Sequence, residues 1–294
     1  MINLLQMESG ILRDTLSRKP AGTLYHYTTQ KGLLGILSCN EIWATHTQYL
    51  NDTREYRHAI GVVTDEIDKR LDGACGDGRR ILEDMAESVR GGLWGLGDQW
   101  VNVCVISFSE DPDSLSLWRA YGGAHSGYAI GFNPIHLADM VRREEFYLAK
   151  CLYEPKEQTD VIQALLDMVF KRNMERFSRG EPTLHPGGDL AFYLHHYAPI
   201  LKDKSFSTEN EWRIISPPLP CTREQFDFRC GNSMLIPYYR MPIAQADQPL
   251  KLDKIVVGPT PHVEEAVGSV QGLLTRKALG KVPVAHSAVP YRNW

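Results

Sequence analysis

The stretch that decides the fold is WVNVCVISFS, residues 100–109. Valine, isoleucine, cysteine and phenylalanine occupy both of its alternating faces, whereas a strand with one solvated face would alternate apolar and polar residues. This pattern predicts a strand buried in the middle of a sheet. The next residues, EDPDS at 110–114, are typical of a turn that ends the strand.

Further strand patterns follow one another along the chain on both sides of this segment. They lie at LYHY (24–27), near 41–45, at GYAIGF (127–132), near 146–153, at EWRIIS (211–216), at FDFRC and MLIPYY around a Gly231-Asn232 turn, at KIVV (254–257) and near 282–289. The strands come in runs rather than in regular β-α-β units, and no glycine-rich dinucleotide motif follows the first one. The sequence therefore favours an α+β fold with a mainly antiparallel sheet.

Two amphipathic helices are predicted in the middle of the chain, at about 160–177 and 189–201. We interpret them as a helical insertion covering approximately 155–203. No linker of disordered composition divides the chain, so we predict a single α+β domain over 1–294.

Composition narrows the class of protein. The 294 residues carry a formal net charge of −4 with acids and bases interleaved, so no basic stripe for duplex DNA is evident. No apolar run approaches the roughly 20 residues that span a bilayer. The 6 cysteines form no CxxC pair, as expected in a reducing compartment. We expect a cytoplasmic protein that does not associate with membranes.

The first candidate functional residue is His26, which lies on the opening strand between Tyr25 and Tyr27. A helix follows at once, with Thr28 or Thr29 as its N-cap. Its place beside a helix N-terminus suits ligand binding. A hydrogen-bonded structural role is nevertheless the more frequent one for a lone histidine on a strand.

The second candidate region is SFSEDPDSLSLWRAYGG, residues 107–123. Ser107 and Ser109 end the predicted central strand. Trp118 and Tyr121 are three residues apart on a short helix and therefore share one face. That spacing suits either core packing or stacking on a substrate.

The third candidate is the pair Glu209 and Glu211 in FSTENEWRIIS. Side chains alternate along a strand, so a strand here would point both carboxylates to the same side. If both were buried, the pKa of one would rise unless a cation or a hydrogen-bonding ligand lay between them. The alternative is a solvated pair beside Arg213, with Trp212 facing inward.

These three features, taken in chain order, resemble the layout of ADP-ribosyltransferases. Most of the chain is also similar to the bacterial family known as domain of unknown function 2971, through the motifs LYHYT, LND..E, SFSE, SLWRAYG, GYAIGF and ENEWRII. A histidine at position 26 rather than an arginine resembles the histidine-type branch of the transferases. The ExE pair is commoner in the arginine-type branch.

The transferase resemblance implies two mainly antiparallel sheets that form a cleft for NAD, used as a co-substrate without a metal ion. His26 would hold the adenosine ribose, and Thr28 and Ser107 would help to bind NAD. Tyr121 would pack on the nicotinamide ring, with Tyr27 and Trp118 as the alternatives.

The resemblance also assigns roles to the two glutamates. Glu211 would be the catalytic carboxylate that engages the nicotinamide ribose, and Glu209 would contact the acceptor. A carboxylate bonded to the ribose stabilises the oxocarbenium-like transition state more than the ground state. On this interpretation Glu211→Gln abolishes nicotinamide release and leaves the melting temperature nearly unchanged.

The function that follows is an NAD-dependent ADP-ribosyltransferase or NAD glycohydrolase. Its partners would be NAD, an unidentified protein or nucleic-acid acceptor, and, by analogy with phage-defence and toxin systems, an antitoxin or defence partner. One alternative is a non-catalytic nucleotide-sensing or interaction module. A second is a metal-independent nuclease or phosphotransferase that uses His26 with Arg119 or Arg213.

Overall fold

The computed structural model describes residues 9–50, 53–91, 102–123, 127–181, 185–244 and 250–291. Asn51 and Asp52 of the LND..E motif lie outside the described residues, as do Trp100 and Val101 of the predicted central strand.

The strands within the described residues all belong to one sheet. They are β1 (Leu24–Thr29), β2 (Glu41–His46), β3 (Cys104–Ser109), β4 (Gly127–Phe132), β5 (Tyr147–Lys150), β6 (Glu211–Ile215), β7 (Phe226–Cys230), β8 (Leu235–Pro242), β9 (Lys254–Val257) and β10 (Val284–His286). The predicted turn at Gly231-Asn232 is confirmed, because it joins β7 to its antiparallel partner β8.

The helices lie on both faces of this sheet. They are α1 (Gly10–Ser17), α2 (Gln30–Cys39), α3 (Thr53–Leu71), α4 (Gly76–Arg90), α5 (Leu115–Tyr121), α6 (Pro134–Glu144), α7 (Pro155–Ser178), α8 (Pro186–Tyr197) and α9 (Val263–Arg276), with short 3-10 helices at Thr47–Tyr49, Ala198–Ile200 and Lys204–Glu209. The insertion helices α7 and α8 begin earlier than predicted, because each has a proline at its first position.

The sheet has 10 strands in the order β10-β9-β4-β1-β3-β2-β8-β7, and β6 joins it by pairing with β3 and β5. Among the named strands, β9 and β10 are parallel and the other pairs are antiparallel. The predicted α+β class with a mainly antiparallel sheet is therefore confirmed. The prediction of two sheets needs correction, because β3 connects all the strands into one.

β3 connects them because two strands share one of its edges. β6 pairs with β3 from Val105 to Ser109. On the other edge, Val105 pairs with Thr45 of β2, whereas Ser109 pairs with Tyr25 of β1. The sheet consequently divides into two wings at that edge. As the sequence predicts, β3 is almost completely buried.

Two large cores lie on opposite faces of the sheet. Val105 belongs to the first core, which it shares with α1, α3, α4, α7 and α8. Ile106, the next residue along β3, belongs to the second core, which it shares with α2, α6 and α9. The alternating apolar side chains of β3 thus fill both cores, and the helices of the predicted insertion cover the first one.

Two adjacent histidines near the end of α8 are buried, His195 at 3% and His196 at 1% relative exposure. The Nδ1 atom of His196 donates to the carbonyl of Phe192 over 2.9 Å, and the imidazole packs against Tyr147 at 5.1 Å between ring centroids. Burial lowers the pKa of each histidine to about 4. Both side chains are therefore neutral in the folded protein at neutral pH.

This burial predicts acid sensitivity between pH 6.5 and 4.5. The unfolded chain binds protons at His195 and His196 below its ordinary pKa of about 6.5, while the folded chain does not, so stability falls as the pH falls. Each histidine adds about 1.4 kcal/mol per pH unit to the slope of the free energy of unfolding against pH. His196→Phe keeps the ring contacts and should remove one such slope. Urea unfolding at several pH values measures it, and identical slopes in both proteins would contradict the expectation.

Candidate functional site

Three strands bring polar side chains together on the face that carries the first core. Tyr25 of β1 pairs with Ser109 of β3, and Ser109 pairs with Glu211 of β6. Directly opposed residues of antiparallel strands point to the same face, so these three side chains form a row. The row lies where β3 ends and where β1 and β6 begin.

Glu211 is the carboxylate of this row, and it is buried, with 4% relative exposure. Its Oε1 accepts a hydrogen bond from Nε of Arg213 at 2.7 Å, and its Oε2 accepts one from Nη2 of Arg213 at 3.1 Å. Oε2 also accepts from Nζ of Lys202 at 2.6 Å. Charge-assisted bonds of this kind, one of them bidentate, are the strong class of protein hydrogen bonds.

Lys202 links the two glutamates. Its Nζ lies 2.7 Å from Oε2 of Glu209, and its side chain is 2% exposed. We call Lys202, Glu209, Glu211 and Arg213 the ion cluster. The Lys202 ammonium also lies 4.9 Å from the centre of the Phe206 ring, which covers the cluster on that side.

The two glutamates do not both lie on a strand, which corrects the sequence prediction. Glu209 ends the 3-10 helix Lys204–Glu209, and Asn210 turns the chain in the left-handed conformation with φ 43°. β6 then begins at Glu211. The carboxylates converge because both bind Lys202, not because they are one pleat apart.

The ion cluster ties the helical insertion to the sheet. Before α7, the hydroxyl of Tyr153 accepts the amide of Glu211 at 2.9 Å. After α8, Nη1 of Arg213 donates to the carbonyl of Pro199 at 2.6 Å. Gln158 of α7 donates to the carbonyl of Lys202 at 2.7 Å. The two ends of the insertion therefore meet at the cluster.

The two carboxylates differ in their electrostatics. Burial alone would raise the pKa of Glu211, but the charges of Arg213 and Lys202 outweigh burial and lower that pKa to about 2. At Glu209, burial dominates and raises the pKa despite the attraction of Lys202. The side chain of Glu209 is also more exposed, 14% against 5% for Glu211.

Tyr121 lies beside the ion cluster, as the sequence interpretation requires of the nicotinamide-binding aromatic residue. Helix α5, which ends at Tyr121, contacts the 3-10 helix that carries Glu209. Burial, together with the negative charges of Glu211 and Glu209, raises the pKa of Tyr121 to about 12. The phenol is thus neutral at physiological pH, partly accessible, and close to both carboxylates.

His26 lies on the opposite face of the sheet from Glu211, so the predicted pairing of these two residues in one cleft is wrong. Side chains alternate along β1, and its neighbour Tyr25 is the one that faces the Glu211 side. The His26 ring packs against Phe108 of the second core at 5.8 Å. Its Nδ1 donates to the carbonyl of Ser107 at 3.0 Å, in the gap where β1 leaves β3.

These contacts make His26 a structural residue. Burial lowers its pKa, so the ring is neutral, and a carbonyl oxygen can only accept from it. The bond gives a partner to the carbonyl of Ser107, which lies between the pairing of β3 with β2 at Val105 and its pairing with β1 at Ser109.

The remaining predicted NAD ligands are divided between the two faces. Thr28 lies on the His26 face, and its hydroxyl fills the space beside Gly32 in the first turn of α2. The N-cap of that helix is Thr29, whose side chain accepts the amide of Gly32 at 3.1 Å. Ser107 lies on the Glu211 face, directly opposite Arg213.

The two alternative aromatic residues are core residues. Trp118 is 3% and Tyr27 is 7% exposed, and their rings are 4.6 Å apart. The indole of Trp118 donates to Asp113 at 2.7 Å, and the hydroxyl of Tyr27 donates to the carbonyl of Asp111 at 2.8 Å. Because both polar ends are bonded within the chain, Tyr121 is the better candidate for stacking on a ligand.

The residues proposed for a nuclease are also separated. Arg213 binds Glu211 on the face opposite His26, and Arg119 is exposed on α5, 5.0 Å above the ring of Tyr291.

In the part of the chain that the structure describes, no group of three or more His, Cys, Asp or Glu side chains could hold a metal ion. Nor is any helix in these ranges long and apolar enough to cross a bilayer.

Sequence reasoning missed Lys202 and Tyr153. The only available signal was indirect: two buried carboxylates need a cation between them, but nothing in LKDK indicates which lysine would supply it. Tyr153 resembles any tyrosine at the end of a strand.

A comparison with known families gives one match. The family described as "Protein of unknown function (DUF2971)" matches residues 117–214, about a third of the chain, from α5 to β6. The match supports the resemblance to that family over this range, which contains Tyr121 and all four residues of the ion cluster, whereas the motifs LYHYT, LND..E and SFSE lie outside it. No curated protein and no solved structure matches the chain. The transferase layout stays a prediction only for Tyr121 and the two glutamates, because His26, its first predicted element, lies on the opposite face of the sheet.

The ion cluster predicts that Glu211→Gln destabilises the protein, contrary to the expectation of an unchanged melting temperature. Removing one partner of a buried charge network costs about 3–5 kcal/mol, because the other charges remain buried. Glu211 contributes stability that is present above its unfolded pKa near 4.5 and is lost as the pH falls towards about 2. The variant should therefore also lose this acid dependence.

Urea unfolding at pH 7 and between pH 5 and 2.5 measures both effects. Glu209→Gln is the matched comparison, because Glu209 is the more exposed carboxylate and its Oε2 is bonded to Lys202, whereas Glu211 binds both Lys202 and Arg213, so the loss in Glu209→Gln should be the smaller one. Equal losses in the two variants would show that Glu211 does not hold the cluster together.

Proposed function

We propose that the chain is an NAD-using enzyme of the ADP-ribosyltransferase or NAD glycohydrolase type, with its site at the edge of the ion cluster. The observation that supports this most strongly is that Tyr121 of α5 and Glu209 of the 3-10 helix lie together beside Glu211, at the start of β6. An aromatic ring beside a carboxylate is the arrangement needed to bind a cationic nicotinamide and the ribose attached to it.

The geometry favours Glu209, not Glu211, as the carboxylate that meets the ribose. Glu211 has both oxygens bonded to cations of the chain, whereas the carboxylate of Glu209 is bonded to Lys202 through Oε2. Glu209 is also the more exposed of the two. Glu211 acts as a positioning residue, because it fixes Lys202, which in turn holds Glu209.

The proposed step is a displacement at the anomeric carbon of the nicotinamide ribose. The bond from C1′ to the nicotinamide nitrogen breaks, and its electron pair neutralises the pyridinium ring. Water or an acceptor group forms the new bond to C1′ and releases a proton. Glu209 accepts a hydrogen bond from a ribose hydroxyl and stabilises the developing positive charge, an effect of roughly 3–4 kcal/mol for one well-placed group.

Tyr121 has a separate part in this proposal. Stacking of the cationic nicotinamide on its ring contributes about 1–2 kcal/mol when the pair is desolvated. Its neutral phenol adds a hydrogen-bond donor beside the two carboxylates.

Incubation of the purified protein with NAD tests the proposal, with nicotinamide and ADP-ribose measured by chromatography. Glu209→Gln should lower nicotinamide release by about 10²–10³-fold, the effect of removing one charge-stabilising group. Tyr121→Leu should weaken NAD binding and turnover by about tenfold or more. Both variants should lower the melting temperature less than Glu211→Gln does, because Glu209 and Tyr121 are more exposed than Glu211.

Glu265→Gln is the control, because Glu265 is exposed on α9, away from the row of Tyr25, Ser109 and Glu211. Nicotinamide release by Glu209→Gln at the wild-type rate would sink the assignment of Glu209. The assay is run with cell extract as well as in buffer, so that an acceptor is present if a transferase requires one to release nicotinamide.

A second candidate function is nucleotide binding without turnover. The bonding of both Glu211 oxygens inside the ion cluster favours it. The hydrogen bonds of Glu211 to Arg213 and Lys202 leave this carboxylate no free role in chemistry. If the chain only binds the nucleotide, NAD or ADP-ribose should raise its melting temperature and should be recovered intact after incubation. The acceptor and a role in phage defence or a toxin system stay predictions from the family resemblance.

A further inference from the structure

The outer edge of β7 ends the sheet, and among the described residues no strand pairs with it. The amide of Arg240 donates to the carbonyl of Gln225 at 2.8 Å, and the amide of Gly231 donates to the carbonyl of Met234 at 3.0 Å. Backbone groups alternate in direction along a strand. The odd-numbered residues of β7 therefore point their backbone towards β8, and the even-numbered ones point outwards.

The residues that point their backbone outwards are Phe226, Phe228 and Cys230. Pro237, which has no amide hydrogen, lies opposite Phe228 on β8, as expected where no ladder bond is made. The outer edge thus presents the carbonyls of these three residues and the amide of Cys230, whereas the amide of Phe226 donates to the carbonyl of Arg223 at 2.9 Å and that of Phe228 donates to Asp227 at 2.8 Å. Edges of this kind are templates for pairing with another strand.

The end of the sheet formed by β7 and β8 also carries exposed apolar side chains. Phe228 is 52%, Met234 is 58% and Leu235 is 64% exposed. Phe228 shares its side of the sheet with Phe226, which belongs to the second core. The apolar surface of the second core therefore extends along β7 to side chains that are exposed to solvent at the edge of the sheet.

The sequence of β7, Phe-Asp-Phe-Arg-Cys, is complementary to itself when it is paired antiparallel about Phe228. Phe228 then lies opposite Phe228 of the second copy, and Phe226 lies opposite Cys230. Asp227 lies opposite Arg229, and the two-fold axis makes this opposite-charge pair twice. Opposite charges directly across antiparallel strands stabilise the pairing.

We infer that β7 is the interface of a two-fold dimer, in which the sheet continues from one copy of this chain into a second copy. In the single chain, Asp227 accepts the outward amide of Phe228 at 2.8 Å and makes longer contacts to Tyr238 at 3.5 Å and Arg240 at 3.9 Å. In the dimer, carbonyls of the second copy take over that amide and the amide of Phe226, which donates to Arg223 in the single chain. Asp227 is then released to bind Arg229 of the second copy, and Arg229 exchanges its 3.4 Å contact with the Thr45 hydroxyl for this pair.

The dimer is weak, since a strand of 5 residues buries less area than a standard interface. Dissociation constants in the micromolar range are expected for contacts of this size. The assembly therefore forms and separates with protein concentration.

Sedimentation of single and mixed variants tests the inference. Asp227→Arg gives a strand with two positive charges, and Arg229→Asp gives one with two negative charges. Each variant alone should dimerise at least about tenfold more weakly than the wild type, because both cross-strand pairs become repulsive. An equimolar mixture should recover the dimer, since the two strands are complementary to each other.

Phe228→Pro is a second variant. It removes the outward amide and leaves the bonds to β8 in place, so it should also give a monomer. Glu264→Arg on the exposed face of α9 controls for net charge. A wild-type chain that stays monomeric up to hundreds of micromolar would overturn the inference. So would a dimer that both single charge variants and Phe228→Pro leave unchanged.

Discussion

The bond network of one buried carboxylate, Glu211 with Arg213 and Lys202, is the constraint on which the rest of the site depends. It lies at the first residue of β6, next to the strand that connects the whole sheet. Both ends of the helical insertion return to it, one through Tyr153 and the other through Pro199. A buried charge network adds little net stability, but it penalises any arrangement in which one partner is missing. The network therefore fixes where the insertion meets the sheet.

This constraint divides the work between the two glutamates. Glu211 is held ionised and enclosed, and Glu209 is held by Lys202 at the accessible edge, near Tyr121. Preorganised groups of this kind act without rearrangement during a reaction. The hydrogen bonds that engage both oxygens of Glu211 also fix Lys202 and, through Lys202, the carboxylate of Glu209.

The strands were predictable from the sequence where burial decides the residue type. The pattern of β3 required apolar side chains on both faces, and two cores are found there. The turn between β7 and β8 was predictable from Gly231-Asn232. The connection of all strands into one sheet was not predictable, because it depends on β1 and β2 sharing one edge of β3.

The site was predictable only in part. The grouping of Tyr121 with the two glutamates followed from the resemblance, and the need for a cation followed from electrostatics. The positions of His26 and Glu209 could not be predicted from either. A shift of one residue moves a strand side chain to the other face, and no sequence pattern here fixes whether Tyr25 or His26 faces Glu211. Asn210 likewise interrupts what reads as a continuous strand.

The most direct measurement of the central claim is an NMR titration of the glutamate side-chain carboxyl carbons, with the two signals assigned by comparison with Glu209→Gln. Glu211 is predicted to titrate at about 2, and Glu209 is predicted to titrate above its ordinary value. If both carboxyls titrated together near their ordinary value, Glu211 would not be held by Arg213 and Lys202, and the division of roles between the two glutamates would be contradicted.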